Sequence, residues 1–215
     1  MIELSAAATW APNGKLLLTP TNLIFQTGER VGILSKTGSG KTTLARLLAG
    51  IDLPKQGRIT RTGPAATILG QENIIHSYMH IGPALQSAAE LLGLCPISAP
   101  LAAFYFAGMD PQTRLKVDQL SPVQKSVLAF GLSIQRPTNW LIADDRVIPN
   151  DPSRTALANA LIEHRLMTAG LIVISKNHGL LARYCDRFYV LTSASLMPVD
   201  DIRTGQTVLD MDRAA

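Results

Sequence analysis

Hydrophobic and polar positions divide this chain into three stretches. In the first, short apolar runs at residues 2–4, 15–18, 22–26 and 31–34 read as strands. The turn sequences Pro12-Asn13-Gly14, Pro20-Thr21-Asn22 and Gly28-Glu29 separate them. Thr43 to Ala49 is helix-forming and stops at Gly50, and a turn at Leu53-Pro54-Lys55-Gln56-Gly57 leads into strands at Arg58 to Thr62 and Ala66 to Leu69. In the second stretch, Pro83 to Gly131, apolar residues such as Leu85, Ala88, Ala89, Leu91 and Leu92 recur at helical spacing and strand signals are scarce. Residues 73–136 are therefore expected to form a mainly helical insertion. In the third, Trp140-Leu141-Ile142-Ala143 is a buried strand ending in Asp144-Asp145, followed by a helix at Thr155 to Met167, a strand at Leu171 to Ile174, a helix at Leu180 to Tyr184 and a strand at Phe188 to Leu191. The tail, Ser195 to Leu209, is expected to add one or two edge strands. Apolar strands alternating with helices imply a mainly parallel sheet covered on both faces. The expected organisation is one α/β domain, residues 1–215. Its core, 1–72 and 137–215, begins with antiparallel strands and is interrupted by the helical subdomain.

Composition narrows the function classes. Of 215 residues, 47% are hydrophobic and 17% charged, which suits a packed core. The net charge is +4, but Lys and Arg are scattered and no aromatic-basic cluster appears, so no nucleic-acid partner is expected. Mild basicity is equally compatible with an anionic membrane face. Cys95 and Cys185 lie far apart and suit reduced thiols in the cytosol. No apolar run approaches the roughly 18 residues of a membrane span, and no signal-like segment follows Met1. A soluble chain acting at a membrane must dock on another subunit.

The chemistry begins at Ser35-Lys36-Thr37-Gly38-Ser39-Gly40-Lys41-Thr42-Thr43, between an apolar strand and a helix. This is the context of a phosphate-binding loop. Gly38 and Gly40 let backbone N–H groups converge on phosphate oxygens, and the helix start adds partial positive charge. Lys41 reaches β- and γ-phosphates, and the Thr42 hydroxyl ligates Mg²⁺. Ser35 stands where the pattern G-x-x-x-x-G-K-[ST] has its first glycine. A glycine-rich turn capping a helix is the bland alternative. The pair Asp144-Asp145 fits the second half of such a site: Asp144 holds Mg²⁺ through water, and Asp145 orients or deprotonates the attacking water. A surface pair capping a turn is the alternative there.

In this order, the motifs resemble an ATP-binding-cassette transporter ATPase over essentially the whole chain. Within that family the chain is most similar to ATPase subunits of capsule and other surface-polysaccharide exporters. Gly28 to Leu34, Leu128 to Ser133 and Arg183-Tyr184-Cys185-Asp186 carry the resemblance. It implies ATP and Mg²⁺ as cofactors, a P-loop NTPase fold and a homodimer or heterodimer with another such ATPase. It also implies an integral membrane partner and a cytoplasmic location, peripheral on the inner face of the cell membrane. It makes Trp10 the aromatic that stacks on adenine, although Trp10 equally suits an ordinary edge strand. It makes Asp151 the carboxylate that contacts the partner, although Asp151 equally caps a helix from Pro152.

Departures from the family matter as much. Where relatives carry Leu-Ser-Gly-Gly-Gln, this chain reads Leu120-Ser121-Pro122-Val123-Gln124. Val123 interposes a branched side chain and Pro122 removes a donor, while Ser121 and Gln124 form a capping box that preserves the helix start. Asp145 replaces the catalytic Glu and is one methylene shorter. Lys176 falls at the switch His, with His178 two residues on as a possible substitute. The residue joining core to insertion, a Gln in the family, falls on His76, with Gln71 nearby. Three γ-phosphate-linked positions thus depart together. Two main expectations follow: an exporter ATPase with slow hydrolysis, or a nucleotide-binding half that hydrolyses poorly and acts structurally. A P-loop kinase is a minor third, because no acceptor site is visible.

Overall fold

The computed structural model of the chain describes residues 1–11, 13–63, 67–70 and 74–211. They form two compact units. The first comprises Met1–Ile68, Thr138–Asp145 and Thr168–Ala215; the second comprises Leu69–Pro137 and Arg146–Met167. Residues 146–167 group with the helical unit.

The first unit is an α/β fold. It holds a three-stranded antiparallel sheet of β1 (Ile2–Trp10), β2 (Leu16–Phe25) and β4 (Gln56–Arg61), ordered β2-β1-β4. A six-stranded sheet is built from β3 (Arg30–Ser35), β5 (Thr67–Ile68), β6 (Trp140–Asp144), β7 (Gly170–Ser175), β8 (Arg187–Thr192) and β9 (Ser195–Val199), ordered β5-β6-β7-β3-β8-β9. All pairs in it are parallel except β8 with β9. Every residue of β7, and every residue of β3 after Arg30, is buried. Central parallel strands are covered on both faces, which is why these segments read as continuous apolar runs. Helix α1 (Lys41–Ala49) follows β3 and ends at Gly50, whose φ of 79° is the left-handed C-cap that glycine favours. Leu44, Leu47 and Leu48 of α1 join Val31, Ile33, Ile172 and Ile174 in the core. Phe25 packs edge-on against Trp140 and Tyr189, with centroids 6.4 and 5.7 Å away.

Two expectations are corrected here. The turn at Pro20-Thr21-Asn22 does not form: β2 runs unbroken through it. Pro20 is tolerated because β2 is an edge strand, and the β1 register shifts between the pairs Ala7↔Thr21 and Thr9↔Leu18. Nor does the tail add only edge strands. After β9 it forms α7 (Ile202–Met211). Asp201 caps this helix by accepting the Thr204 N–H at 2.8 Å, which also holds the Asp201 carboxyl below its ordinary value. Gly205 and Leu209 are its buried positions. A Cβ at Gly205 would lie 3.1 Å from Val190, so the glycine lets α7 approach β8 closely.

The second unit contains α2 (Ile81–Leu91), α3 (Ser98–Ala107), α4 (Pro122–Ser133) and α5 (Thr155–Leu166). Its core includes Ile81, Leu85, Phe104, Val117, Leu128 and Leu132. Gly131 permits tight α3–α4 packing, since a Cβ there would meet Phe106 at 3.0 Å and the Ala103 backbone at 3.2 Å. Pro83 to Gly131 contributes helices and no strand of either sheet.

Candidate functional site

The phosphate loop is assembled by the step from β3 to α1. Ser35 is the last residue of β3 and sits in extended backbone, so this position does not require glycine. It is fully buried, and its hydroxyl has no hydrogen-bond partner among the described residues. Gly38 and Gly40 do require glycine, with φ of 77° and 94°. Gly40 is the N-cap of α1 and offers no side-chain acceptor. The first-turn N–H groups of Lys41, Thr42 and Thr43 are therefore left for an anion. Ser39 closes the loop by donating its hydroxyl to the Lys36 carbonyl at 2.8 Å.

Two contacts join the loop to the end of β6. Thr42 Oγ1 donates to Asp144 Oδ2 at 2.5 Å. Lys41 Nζ lies 3.5 Å from Asp145 Oδ2 and 3.4 Å from the Lys36 carbonyl. Asp144 Oδ1 is buried without a partner among the described residues. An orphaned carboxylate oxygen beside a hydroxyl is a hard-oxygen donor pair that fits Mg²⁺, an ion that takes one or two carboxylates together with phosphate oxygens. Among the described residues no three His, Cys, Asp or Glu side chains gather as a metal cage.

Asp145 leaves β6 with φ of 63° and gives its N–H to the Ile174 carbonyl at 2.8 Å. Its Oδ1 accepts the Ser175 hydroxyl at 3.1 Å, and Ser175 Oγ in turn accepts the Asn177 N–H at 3.1 Å. A cavity of about 500 Å³ beside the loop is lined by Ala11, Lys15, Leu17, Lys41, Thr43 and Asp145 among others. Trp10 is not one of its lining residues. It is half-buried at the end of β1, opposite Leu16. Lys15 Nζ instead reaches the Gly38 carbonyl at 3.4 Å.

Lys176 is exposed just after β7. It lines a second cavity of about 470 Å³ with Ser35, Lys36, Thr37 and, from α7, Gln206 and Asp210. His178 opens α6 (His178–Tyr184), behind the cap in which Asn177 Oδ1 accepts the Leu180 N–H at 3.1 Å, and it does not line that cavity.

Within the helical unit, Ser121 is the N-cap of α4. Its Oγ accepts the Gln124 N–H at 3.2 Å, and Gln124 Oε1 accepts the Ser121 N–H at 2.9 Å. The capping box forms, with Pro122 at the first helical position and Val123 40% exposed. Asp151 Oδ1 accepts the Ser153 N–H at 2.9 Å and the Ser153 hydroxyl at 2.7 Å. It closes a turn, and the helix expected from Pro152 begins at Thr155. His76 is exposed on a cavity of about 760 Å³ with Ile75, Tyr78, Met79, Val117 and Lys125. Gln71 lies outside the described residues.

Sequence reasoning did not single out Ser175, Asn177 or Lys15. Ser175 carried one usable signal, a polar residue ending an apolar strand beside the one that ends in Asp144-Asp145.

A family model described as ABC transporter matches residues 18–147. The "ATP-binding protein BexA" of Haemophilus influenzae is 23% identical over 188 residues, covering 87% of each chain. The "Capsule polysaccharide export ATP-binding protein CtrD" of Neisseria meningitidis serogroup B is 23% identical over 178 residues, covering 83% of this chain and 82% of that one. Among solved structures, a dimeric ATP-binding cassette in a post-hydrolysis state with ADP and Pi superposes with a TM-score of 0.74 at 16% identity, covering 91% of this chain and 96% of the other. Another, described as the ATP binding subunit of an ABC transporter, gives 0.77 at 16% identity over 100% and 98%. These structural likenesses establish the fold.

Proposed function

The chain belongs to the ABC transporter family as an ATP-binding subunit, and we propose that it serves an exporter of capsule or another surface polysaccharide. The contact of Thr42 with Asp144, beside Lys41 and Asp145, carries the nucleotide reading. The name of CtrD, a capsule polysaccharide export ATP-binding protein, supports the polysaccharide substrate. On this reading residues Ser35 to Thr43 cradle the ATP phosphates, with Lys41 facing the β- and γ-phosphates. Thr42 and Asp144 hold Mg²⁺, which neutralises phosphate charge when bound. Asp145 orients a water and takes its proton as the water oxygen bonds to the γ-phosphorus. The bond to the β–γ bridging oxygen then breaks, and ADP and phosphate leave.

We read residues 73–136 as the helical subdomain inserted between core segments 1–72 and 137–215, with 146–167 grouping with it in one compact unit, and His76 as marking the region that couples to a membrane subunit. Ser121, Val123 and Gln124 face the nucleotide of a second ATPase copy, identical or not, and Asp151 contacts that copy. Trp10 is the adenine-stacking candidate that the family resemblance supplies. The chain works on the cytoplasmic face of the cell membrane.

Hydrolysis is slow on this reading. Asp145 is shorter than the family's Glu, Lys176 replaces an imidazole, and exposed Val123 replaces a bare backbone. The same observations favour a second reading, a nucleotide-binding half that acts structurally beside a competent ATPase. Calorimetric titration of Mg-ATP into wild type and Lys41→Ala tests the nucleotide reading: a large loss of affinity in a folded variant is expected, and unchanged binding refutes it. Affinity purification from membranes, expected to recover an integral membrane protein, tests the transporter assignment.

A further inference from the structure

The Asp145 carboxylate is fixed from behind. Parallel strands β6 and β7 pair Asp144 with Ile174, so Asp145 and Ser175 are the next positions in register at the strand ends. Asp145 turns out of the sheet into a left-handed backbone (φ 63°), which aspartate tolerates better than most non-glycine residues. Ser175 is 1% exposed, and its hydroxyl donates to Asp145 Oδ1 at 3.1 Å. Asp145 Oδ2 is then the oxygen facing Lys41, 3.5 Å away. The same Ser175 oxygen accepts the Asn177 N–H at 3.1 Å, closing a turn with Lys176 at its apex. One buried hydroxyl therefore holds both the carboxylate and the backbone that carries Lys176. A shortened carboxylate gains most from such an anchor, because a misplacement of ~1 Å costs roughly 10²-fold in rate.

We propose that Ser175 is a positioning residue for ATP hydrolysis, orienting Asp145 through Oδ1 so that Oδ2 meets the water, and holding Lys176 beside the phosphate loop. This rests on the reading of Asp145 as the water-orienting carboxylate. Ser175 touches neither nucleotide nor water. Its loss reduces the chemical step and leaves nucleotide binding intact, and threonine, which keeps the hydroxyl, replaces it.

The test is single-turnover hydrolysis and calorimetric ATP affinity for wild type, Ser175→Ala, Ser175→Thr, Asp145→Asn and the Ser175→Ala/Asp145→Asn pair. Ser175→Ala is expected to slow hydrolysis about 10- to 100-fold with ATP affinity unchanged. Ser175→Thr should stay within about twofold of wild type, and Ser175→Ala should add nothing in the Asp145→Asn background, as expected of residues that act as a unit. Impaired Asp145→Asn with unimpaired Ser175→Ala overturns this inference alone, as does a full additional loss in the double variant or a threonine variant no better than alanine. Wild-type rates in Asp145→Asn, or no hydrolysis by the wild type, overturn the reading of Asp145 together with the inference.

Discussion

Thr42 donates its hydroxyl hydrogen to Asp144 across 102 positions of sequence, at 2.5 Å. The bond joins the first turn of α1 to the end of β6 and leaves Asp144 Oδ1 buried without a partner among the described residues. Thr42→Val keeps the shape and removes the hydroxyl. The expected result is a folded protein whose ATP affinity no longer rises on adding Mg²⁺, measured by calorimetry with and without the ion. A variant that keeps the wild-type Mg²⁺ response removes Thr42 from the cation site.

Gly40 and Ser35 should respond in opposite ways. Gly40 has φ of 94°, and a Cβ there would meet Leu17 at 3.1 Å. Gly40→Ala should cost about 1–2 kcal/mol from the left-handed backbone alone. That lowers Tm by about 2–4 °C per kcal/mol for a chain of this size. Ser35→Ala removes a buried hydroxyl that has no partner among the described residues, so thermal denaturation should show an equal or higher Tm, and ATP affinity should hold.

Ser121 caps α4 through the reciprocal bonds with Gln124. Ser121→Ala should cost about 1 kcal/mol of stability in urea denaturation. Ser121→Asp, which restores a capping oxygen, should recover it.

The two thiols should titrate far apart. Hydrogen bonds from Ser98 bring exposed Cys95 down to about 7, whereas burial, reinforced by the Asp186 charge, pushes Cys185 up to about 12. The thiolate is the reactive form, so alkylation of Cys95 should rise with pH through about 7 while Cys185 stays protected until the protein unfolds. Mass spectrometry after iodoacetamide pulses checks this, and equal labelling of both at pH 8 would contradict it.

Legibility in the sequence followed locality. Ser35 to Thr43 could be read because strand, loop and helix are contiguous and the glycines' backbone requirement is intrinsic. Trp140 to Ala143 and Leu171 to Ile174 could be read because strands buried on both faces show continuous apolar runs. Pro20 misled because its place on an edge strand depends on sheet order, which no local pattern encodes. The tail misled because its helix depends on tertiary packing: Gly205 brings α7 against β8 under the Asp201 cap. Ser175 stayed hidden because its role arises from the register of two strands thirty positions apart, Asp144 opposite Ile174. The Ser121–Gln124 box was legible because a capping box is a four-residue pattern.

Single-turnover hydrolysis of Mg-ATP by the purified chain, wild type beside Lys41→Ala, tests the central claim most directly. One slow phase, below ~1 s⁻¹ and so under the usual enzyme range, is expected in the wild type and disappears in Lys41→Ala. Hydrolysis at ~1–10³ s⁻¹ would contradict the slow site, and a phase that survives Lys41→Ala would contradict the site itself.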